Sequence, residues 1–499
     1  MIKYCFFMTN QSHWLKVAKK LNDNNIAKPI LWLGDDTHYE KAKNEFGEGV
    51  VKMLDFVHKP YNFNAIDYDG KFSRFLVSEN YVRAKDKCLK MMDRLDLNSA
   101  FNRLDKEVFM HNIIIWTLKR FKDNKPDVLI SVENPHSHAQ YIIHEICDYL
   151  EIPIFTFNSW MPVPLLFLKK NLSNYKITKP YNYNETNFDN IISKNIDQFI
   201  DSVLLKKQNF EMFYMRIQRQ NAGLINRIKS YFLSGWKEDY NDIKHNSYML
   251  LNSKYNPINP YRYSFITRKY IRSRRIKNLK IKEKKSIDIN CFDRPFAYFP
   301  LHFEPERTTN PDGGVFHDQF IALSNLRNFI PNDINILVKE HPSQFLMSNK
   351  GSKGRSPMFY DLIKNINGVK IVDSKHNSID LILKSNFLAT ISGSVALEGA
   401  ILGKKAIIFG DTWFNGCPNI FNWKDNLDYS SFINDKFSND EDIKLFLKKL
   451  MKSYSIPAFQ NLTKRKYFKN FNNEEFENNQ IINLYNLLEE FFNNKLYLK

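Results

Sequence analysis

The sequence predicts an α/β protein made of two doubly wound units, each with a parallel sheet covered by helices. Short apolar segments alternate with amphipathic segments over residues 2–157, and the same alternation returns from residue 296. This β-α-β succession is typical of parallel sheets. In the second half, three apolar segments end in clusters of polar residues, at the position where open parallel sheets bind their ligands.

The first unit is predicted from hydrophobic periodicity, with continuous apolar runs for buried strands and amphipathic spacing for helices. Its predicted strands are IKYCFFM (2–8), KPILWLG (28–34), DVLISV (127–132) and IPIFTF (152–157), and its predicted helices are SHWLKVAKKLNDNN (12–25) and SHAQYIIHEICDYLE (137–151).

The second unit follows the same rule more clearly. Its predicted strands are FAYFPL (296–301), INILVKE (334–340), VKIV (369–372), FLATI (387–391) and KAIIF (405–409). Its predicted helices are FHDQFIALSNLRNF (316–329), MFYDLIKNIN (358–367), SIDLILKSN (378–386) and SVALEGAILG (394–403).

Between the units, residues 200–285 are rich in Lys, Arg, Tyr and Asn, and we interpret them as basic helices. They form either a solvated bridge or a surface that attaches to an anionic membrane face. We therefore expect an N-terminal Rossmann-like unit on the acceptor side, a basic helical bridge, a nucleotide-sugar-binding Rossmann-like unit, and a C-terminal helix that packs back on the first unit. The corresponding ranges are 1–200, 201–290, 291–470 and 471–499.

The charge is strongly basic, because Lys and Arg exceed Asp and Glu by 72 − 54 = 18. Such an excess indicates an anionic partner, namely nucleic acid, acidic lipid or a phosphorylated substrate, unless it reflects a Lys-rich surface alone. No zinc-finger, helix-turn-helix or stacking motif is present, so we expect no nucleic-acid partner.

The five cysteines are dispersed without metal-like pairing, which favours a reducing compartment over a disulfide framework. They are Cys5, Cys88, Cys147, Cys291 and Cys417. The N-terminal stretch lacks the features of a signal peptide, and no run of 18 apolar residues occurs. We expect a cytoplasmic protein with at most peripheral contact to the inner membrane face. Asp411 alone is too little to indicate a metal site, and we expect no metal and no cofactor.

Ser392-Gly393-Ser394 links a predicted strand to a predicted helix. Free backbone N–H groups at such a turn favour a phosphate, and Ser394 is equally suited to cap the helix. Glu398 lies among apolar residues, so it either points to solvent or accepts hydrogen bonds from hydroxyls such as those of a ribose. Gly399 would permit close approach beside it.

A second cluster, VKEHPSQF, follows the strand INILV. Lys339 and His341 could hold a phosphate by charge and hydrogen bonds, and Pro342 stops the strand and fixes the turn. A structural turn explains the His-Pro pair equally well.

Three motifs in this order, FPLHFEPERTT, LVKEHPSQF and ISGSVALEGAILGKKAIIFGD, resemble the capsule polysaccharide biosynthesis family of bacterial glycosyltransferases, which includes transferases of 3-deoxy-manno-octulosonic acid (Kdo). The resemblance implies a GT-B architecture, with two Rossmann-like domains facing a cleft and a nucleotide sugar, CMP- or UDP-linked, on the second. It further implies a glycan or lipid-linked acceptor and, as further partners, capsule assembly proteins.

The resemblance also implies roles for individual residues. His341 would contact the donor phosphate, residues 392–394 would line the phosphate pocket, and Glu398 would bind the ribose. His302 and Glu306 stand where Kdo transferases tend to carry a glutamine and an aspartate, and Glu306 would replace the residue suspected of attacking the sugar. The side chains expected to orient that carboxylate, or to bind an acidic donor, are Arg307, Thr308 and Thr309. Glu306 could instead form an ion pair with Arg307.

In the first unit, SVENPHSHAQ follows the strand DVLISV. We predict Glu133 as the base that deprotonates the acceptor hydroxyl, with His136 or His138 as orienting groups. The other interpretation is a loop in which Asn134-Pro135 turns the chain and Ser137 caps the helix.

Three alternative functions stay open. A polymerase of the teichoic-acid type would move polyol phosphates at a similar site, and a nucleotide-sugar epimerase would share the architecture without an acceptor. A basic protein that binds membrane or nucleic acid is the non-enzymatic alternative.

Overall fold

The structure is a computed structural model of the 499-residue chain. It describes residues 1–9, 11–34, 37–53, 56, 70–95, 102–160, 163–171, 176–181, 183, 185–205, 265–306, 308–346, 351–424, 427–462, 468–494 and 497. Most of the predicted basic bridge, residues 206–264, and the predicted site residue Arg307 lie outside the described residues.

The described residues include thirteen strands, most of them short apolar runs. They are β1 (Ile2–Thr9), β2 (Ala27–Gly34), β3 (Val50–Lys52), β4 (Val128–Ser131), β5 (Ile154–Trp160), β6 (Leu165–Lys170), β7 (Phe296–Pro300), β8 (Asn335–Lys339), β9 (Val369–Val372), β10 (Phe387–Thr390), β11 (Ala406–Ile408), β12 (Ile420–Asn422) and β13 (Ile456–Pro457).

The α-helices of the described residues are numbered in the same way. They are α1 (Ser12–Asp23), α2 (Tyr39–Phe46), α3 (Gly70–Leu76), α4 (Glu79–Leu95), α5 (Arg103–Asp123), α6 (His138–Tyr149), α7 (Asn187–Leu204), α8 (Phe265–Ser286), α9 (Gln319–Phe329), α10 (Gly351–Gly354), α11 (Met358–Lys364), α12 (Ser378–Lys384), α13 (Val395–Ile401), α14 (Tyr429–Asn434), α15 (Asp440–Tyr454) and α16 (Glu474–Asn493). Short 3-10 turns lie at Gly47–Gly49, Gly314–His317, Pro342–Phe345 and Lys469–Phe471.

The chain divides into two compact units. The first contains residues 1–92, 102–198 and 447–499, and the second contains residues 93–101 and 199–446. The C-terminal segment therefore returns to the first unit, where α16 packs against α1. There Asn24 Nδ2 donates to the Tyr485 hydroxyl at 2.7 Å, and the Lys20 ammonium lies 4.1 Å from the centre of the Tyr485 ring. The domain boundaries proposed from the sequence stay predictions.

The sheet of the first unit has the order β13-β6-β5-β4-β1-β2-β3. Strands β1 to β5 are parallel, as the β-α-β rhythm predicts. At one edge, β6 and β13 are antiparallel, which the sequence analysis did not foresee. The reason is the short connection between β5 and β6, because a parallel crossover needs a dozen residues or more.

The sheet of the second unit has the order β12-β11-β10-β7-β8-β9, and all its strands are parallel. Counted from β7, this is the 3-2-1-4-5-6 order of a dinucleotide-binding fold. The first unit repeats the 3-2-1-4-5 part of it. The predicted fold class, α/β with two Rossmann-like units as in the GT-B class, is confirmed.

The core of the second unit lies on the faces of this sheet. Phe299, Ile336, Val338 and Ala389 are fully buried there, as continuous apolar strands require when helices cover both faces. The chain reverses its direction of winding between β7 and β10. A ligand site is expected beyond the carboxyl ends of these two neighbouring strands.

Candidate functional site

Two loops meet at the carboxyl ends of β7 and β10. The loop after β7 runs from Leu301 to Gly313, and the turn after β10 runs from Ile391 to Ser394. The Ser392 hydroxyl donates to the Thr308 carbonyl at 2.5 Å, and the Asp411 N–H donates to the Asp312 carbonyl at 2.9 Å. The structure thus brings the clusters after β7 and β10 into direct contact, and Gln344 of the third cluster bonds to the backbone of Glu304.

His302 joins these loops. Its Nε2 accepts from the Ser392 N–H at 3.3 Å and lies 3.1 Å from the Thr390 hydroxyl. Nδ1 must then carry the proton and donate to the Thr308 hydroxyl at 3.3 Å. Burial lowers the pKa of His302 to about 3, with His341 and Arg355 adding to the effect. His302 is therefore a neutral ring with both nitrogens engaged inside the fold.

His341 has the opposite tautomer. It precedes the 3-10 turn Pro342–Phe345, and its Nδ1 accepts from the Ser343 N–H at 3.2 Å. The proton of the neutral ring must therefore be on Nε2, for which no acceptor is seen among the described residues. Burial, with smaller effects of Lys339 and Arg355, lowers the pKa of His341 to about 4. His341 thus keeps a neutral N–H donor that no described residue uses.

A buried ion pair, Arg355 with Glu340, bonds to the backbone of both histidines. Arg355 Nε donates to Glu340 Oε2 at 3.0 Å, and the Tyr360 hydroxyl donates to the same oxygen at 2.8 Å. Arg355 also donates to the His302 carbonyl at 3.0 Å, while Glu340 accepts the His341 N–H at 2.8 Å. One guanidinium and one carboxylate therefore fix the ends of β7 and β8 relative to each other. The sequence analysis missed this pair because Glu340 and Arg355 are separated by a loop.

Glu304 is a second residue that sequence reasoning missed. Its Oε1 accepts from Gln319 Nε2 at 2.9 Å, and its backbone N–H and carbonyl bond to the side-chain amide of Gln344. The Glu306 N–H also donates to its carboxylate, and burial raises the pKa of Glu304 to about 7. His302 and Glu304 are two residues apart, and side chains at this spacing point to the same side of an extended chain. This spacing was the signal in the sequence that could have identified Glu304.

The loop residues predicted to act on the substrate are placed as follows. Glu306 is half-buried, and its carboxylate makes no hydrogen bond or ion pair with the described residues. The hydroxyl of Thr309 donates to the Glu306 carbonyl at 3.1 Å, and Thr308 bonds to His302. Both threonines therefore hold the loop itself together. The alternative ion pair of Glu306 with Arg307 involves a residue outside the described part of the chain.

Lys339 uses its ammonium inside the fold. Nζ donates to the His376 carbonyl at 2.6 Å and to the Ser378 hydroxyl at 2.7 Å, at the start of α12. Burial lowers its pKa to about 8. The observed partners of Lys339 thus lie away from the His302 cluster, and a phosphate contact would require these bonds to be shared.

The turn after β10 is tight. A Cβ on Gly393 would lie 2.9 Å from the Thr390 hydroxyl, which explains the glycine. Ser394 precedes α13 and makes no side-chain capping bond; its hydroxyl instead donates to Glu398 Oε1 at 3.3 Å, so the capping alternative is not observed. Burial raises the pKa of Glu398 to about 7.

Gly399 has a different role from the one expected. A Cβ there would lie 1.8 Å from Leu388 Cδ1 on β10, so the glycine lets α13 approach the sheet and does not open space for a ligand.

The first unit has its own polar cluster, at the carboxyl end of β4. His136 Nε2 lies 2.9 Å from Glu133 Oε2, and both side chains are partly exposed. Ser137 caps α6 in a reciprocal box with Gln140, as the structural interpretation of this loop predicts. His138 is buried with its ring edge-on to Phe109 at 5.2 Å, so it belongs to the core.

In the described residues, no group of three or more His, Cys, Asp or Glu side chains is arranged to hold a metal ion. No helix in the described ranges is both long enough and apolar enough to cross a bilayer. All five cysteines are buried and unpaired by disulfides.

No family model and no curated protein matches the chain. Among solved structures, it is similar to the beta Kdo 2,7 transferase of KpsC from Thermosulfurimonas dismutans, with 17% identity over 38% of this chain and 53% of that one and a TM-score of 0.23. The beta Kdo 2,4 transferase of the same protein matches with 13% identity over 65% of this chain and 88% of that one, at a TM-score of 0.26.

UDP-GlcNAc 2-epimerase from Neisseria meningitidis, solved with UDP-GlcNAc, matches with 14% identity over 98% of this chain and 100% of that one, at a TM-score of 0.19. The chain spans about half the length of the beta Kdo 2,7 transferase structure. Two of the three are Kdo transferases, the kind of protein that the sequence motifs resemble. At such TM-scores the matches carry no argument about activity, and the fold rests on the strand order given above.

Proposed function

We propose that the protein is a glycosyltransferase of surface polysaccharide assembly, which moves a sugar from a nucleotide-activated donor to a glycan or glycolipid acceptor. CMP-Kdo or a similar acidic sugar is the donor that the sequence resemblance favours. The observation that carries the proposal is His341, a neutral ring with an Nε2–H donor at the carboxyl end of β8, the strand next to β7 in a dinucleotide-binding sheet.

In this proposal His341 donates to the donor phosphate, beside the turn of Ser392, Gly393 and Ser394. A neutral donor suits a phosphate because it stays in one protonation state over the whole physiological range. It stabilises the charge that develops on the leaving nucleotide. Lys339 contributes positive potential from behind the strand end, without being the primary contact. The tautomers of the two rings are the main support for this proposal. His341 keeps an N–H for a ligand, whereas both nitrogens of His302 are bonded within the loops.

Glu398 is proposed to bind the ribose of the nucleotide. Glu398 lies five residues after Gly393 in the sequence. Its carboxyl group bonds only to Ser394 among the described residues. A carboxyl group with few partners inside the fold can accept the two hydroxyls of a ribose. Its raised pKa would fall when those hydroxyls bind, since hydrogen bonds to the charged form favour it.

Glu306 is proposed to act on the transferred sugar, and Glu133 to remove the proton of the acceptor hydroxyl. Glu306 is half-buried with its carboxylate unengaged by the described residues, whereas Glu304 is enclosed by donors and holds the loop. The contact between His136 Nε2 and Glu133 Oε2 at 2.9 Å orients Glu133 for the role of base. No metal and no cofactor take part in the proposed reaction.

The proposed setting is the cytoplasm, with the protein peripheral on the inner face of the membrane where a lipid-linked acceptor would be found. The net charge of +18 supports an anionic surface as partner. Capsule assembly proteins are further partners in this setting.

The proposal is tested by a donor screen with CMP-linked acidic sugars, UDP-sugars and CDP-glycerol, using a glycolipid acceptor. We expect transfer from a nucleotide sugar, and a loss of about 100-fold or more in His341→Ala, because one oriented donor contributes that much to a leaving group. His376→Ala, which changes an exposed histidine of the same unit, is the control and should retain activity.

Three results would overturn the proposal or a part of it. Transfer of glycerol phosphate alone would make the protein a polyol-phosphate transferase. Release of an epimerised nucleotide sugar without acceptor would make it an epimerase. Near-native turnover of His341→Ala would remove His341 from the site.

A further inference from the structure

Helix α8 has one buried side and one basic side. Ile276, Leu279, Glu283 and Ser286 are buried and recur every three or four residues, so they form a single stripe against the second unit. Lys282 bonds to Asp361 on α11 at 2.5 Å, and the Ser374 N–H donates to Glu283 at 3.4 Å. These contacts fix the rotation of the helix, so the same residues always face solvent.

On the opposite side of α8, the exposed charged residues among those described are all cations, namely Arg274, Arg275, Lys277, Lys280, Lys284 and Lys285. The one acidic residue of this helix, Glu283, is only 2% exposed. The solvent face therefore presents six positive charges and no negative charge.

Exposed apolar side chains run through this basic face. Tyr270 is 62% exposed and Ile281 is 43% exposed. They are eleven residues apart, which is about three helical turns, so they point in nearly the same direction. Arg274 and Lys277 lie between them along the helix. Apolar side chains set among exposed cations can insert at a membrane interface while the cations reach the anionic headgroups.

A general bias toward lysine does not explain this face. On α4, cations such as Arg83 and Lys87 are interspersed with Glu79, Asp86 and Asp93. On α15, three acidic residues, Asp440, Glu441 and Asp442, open the helix. Compositional bias would give α8 a mixed surface as well, so its one-signed face needs a specific partner.

We propose that the solvent face of α8 docks on an anionic lipid bilayer, with its cations at the headgroups and with Tyr270 and Ile281 inserted at the interface. A nucleic acid or an acidic polysaccharide would satisfy the charges but would leave both apolar side chains in water. The inference deepens the membrane part of the proposed function by naming the surface that makes the contact, and its test needs no sugar donor.

The test is co-sedimentation of the full-length protein with two kinds of vesicle. One kind contains phosphatidylcholine alone, and the other contains phosphatidylcholine with about 40% phosphatidylglycerol, an anionic lipid. The charge variant carries Arg274→Gln, Lys277→Gln, Lys280→Gln and Lys284→Gln. The matched control carries Lys41→Gln, Lys375→Gln, Lys436→Gln and Lys449→Gln, which removes the same charge from exposed positions elsewhere. The apolar variant carries Tyr270→Ser and Ile281→Ser.

We expect the native protein and the control to bind the anionic vesicles and not the neutral ones. The charge variant should bind about 600-fold more weakly, since each of the four cations contributes roughly a factor of five near an anionic surface. The apolar variant should lose about ten-fold at unchanged charge. All variants should retain the native thermal midpoint, because the substituted side chains are exposed.

Three results would overturn the proposal. The first is equal binding to both kinds of vesicle. The second is an equal loss of vesicle binding in the charge variant and the control, which would show that binding depends on the net charge alone. The third is unchanged vesicle binding by the apolar variant together with competition by soluble heparin, which would identify α8 as a polyanion surface.

Discussion

At the residue scale, two histidines of similar sequence context have opposite tasks. His302 and His341 both follow apolar strands of the second sheet, and burial lowers the pKa of both rings. The hydrogen bonds separate them, because His302 has both nitrogens engaged whereas His341 keeps one N–H available. A sequence can place such residues at a strand end, but the tautomer depends on backbone groups that only the folded chain supplies.

The same limit applies to the acidic residues after β7. The sequence indicates a cluster of carboxylates in FEPERTT, and the structure distinguishes an enclosed Glu304 from a Glu306 without bonds to described side chains. Both lie beyond Pro300, where β7 ends, so strand alternation could not settle which one points inward. Glu133 and His136 were predicted together, and their side chains lie 2.9 Å apart.

A prediction at this scale concerns Glu398. Burial raises its folded-state pKa from 4.5 to about 7, so the folded protein binds this proton more tightly than the unfolded chain does. The contribution of Glu398 to stability should therefore fall as pH rises from about 4.5 to about 7 and then level off, while the lowered pKa values of His302 and His341 act in the opposite direction. Glu398→Gln should reduce this fall in the thermal midpoint, and Glu304, whose pKa is also about 7, should account for part of what remains.

The control for this measurement is Glu441→Gln, which changes an exposed carboxylate at the start of α15. It should keep the native pH dependence. A variant Glu398→Gln with the native slope between pH 4.5 and 7 would show that the carboxyl group is not held in its neutral form.

At the scale of elements, the parallel strands are what the sequence predicts best. Long apolar runs such as β7 and β8 are buried on both faces and need no other information. The three-residue strand β12 and the two-residue strand β13 were missed, because runs this short have no measurable periodicity. The start of α9 shifts to Gln319 since Asp318 caps it, accepting from the Phe320 N–H at 3.1 Å.

A prediction at this scale concerns the contact of α13 with β10. Gly399→Ala should destabilise the protein by about 1–3 kcal/mol, because the added methyl group overlaps Leu388 and the buried helix must shift. Chemical denaturation followed by circular dichroism measures the change. The matched control is Gly70→Ala, where a Cβ meets nothing within 4 Å and stability should be unchanged or slightly higher. Equal stability of the two variants would contradict the packing described for α13.

At the scale of the whole molecule, both units repeat one strand order, and the chain returns to the first unit near residue 447. This repetition follows from the βαβ rhythm, which fixes right-handed parallel crossovers. The basic character of the chain is visible in its composition. Its concentration on one side of α8 is visible only when burial separates Glu283 from the exposed cations.

The central claim is a nucleotide site at the carboxyl edge of the second sheet, and calorimetric titration with CMP and UDP tests it most directly. We expect the native protein to bind at least one of the two nucleotides. Glu133→Gln should bind it equally well, because Glu133 belongs to the first unit, whereas His341→Ala should bind it about ten-fold more weakly. Absence of binding to both nucleotides, or equal affinity of native protein and His341→Ala, would contradict the claim.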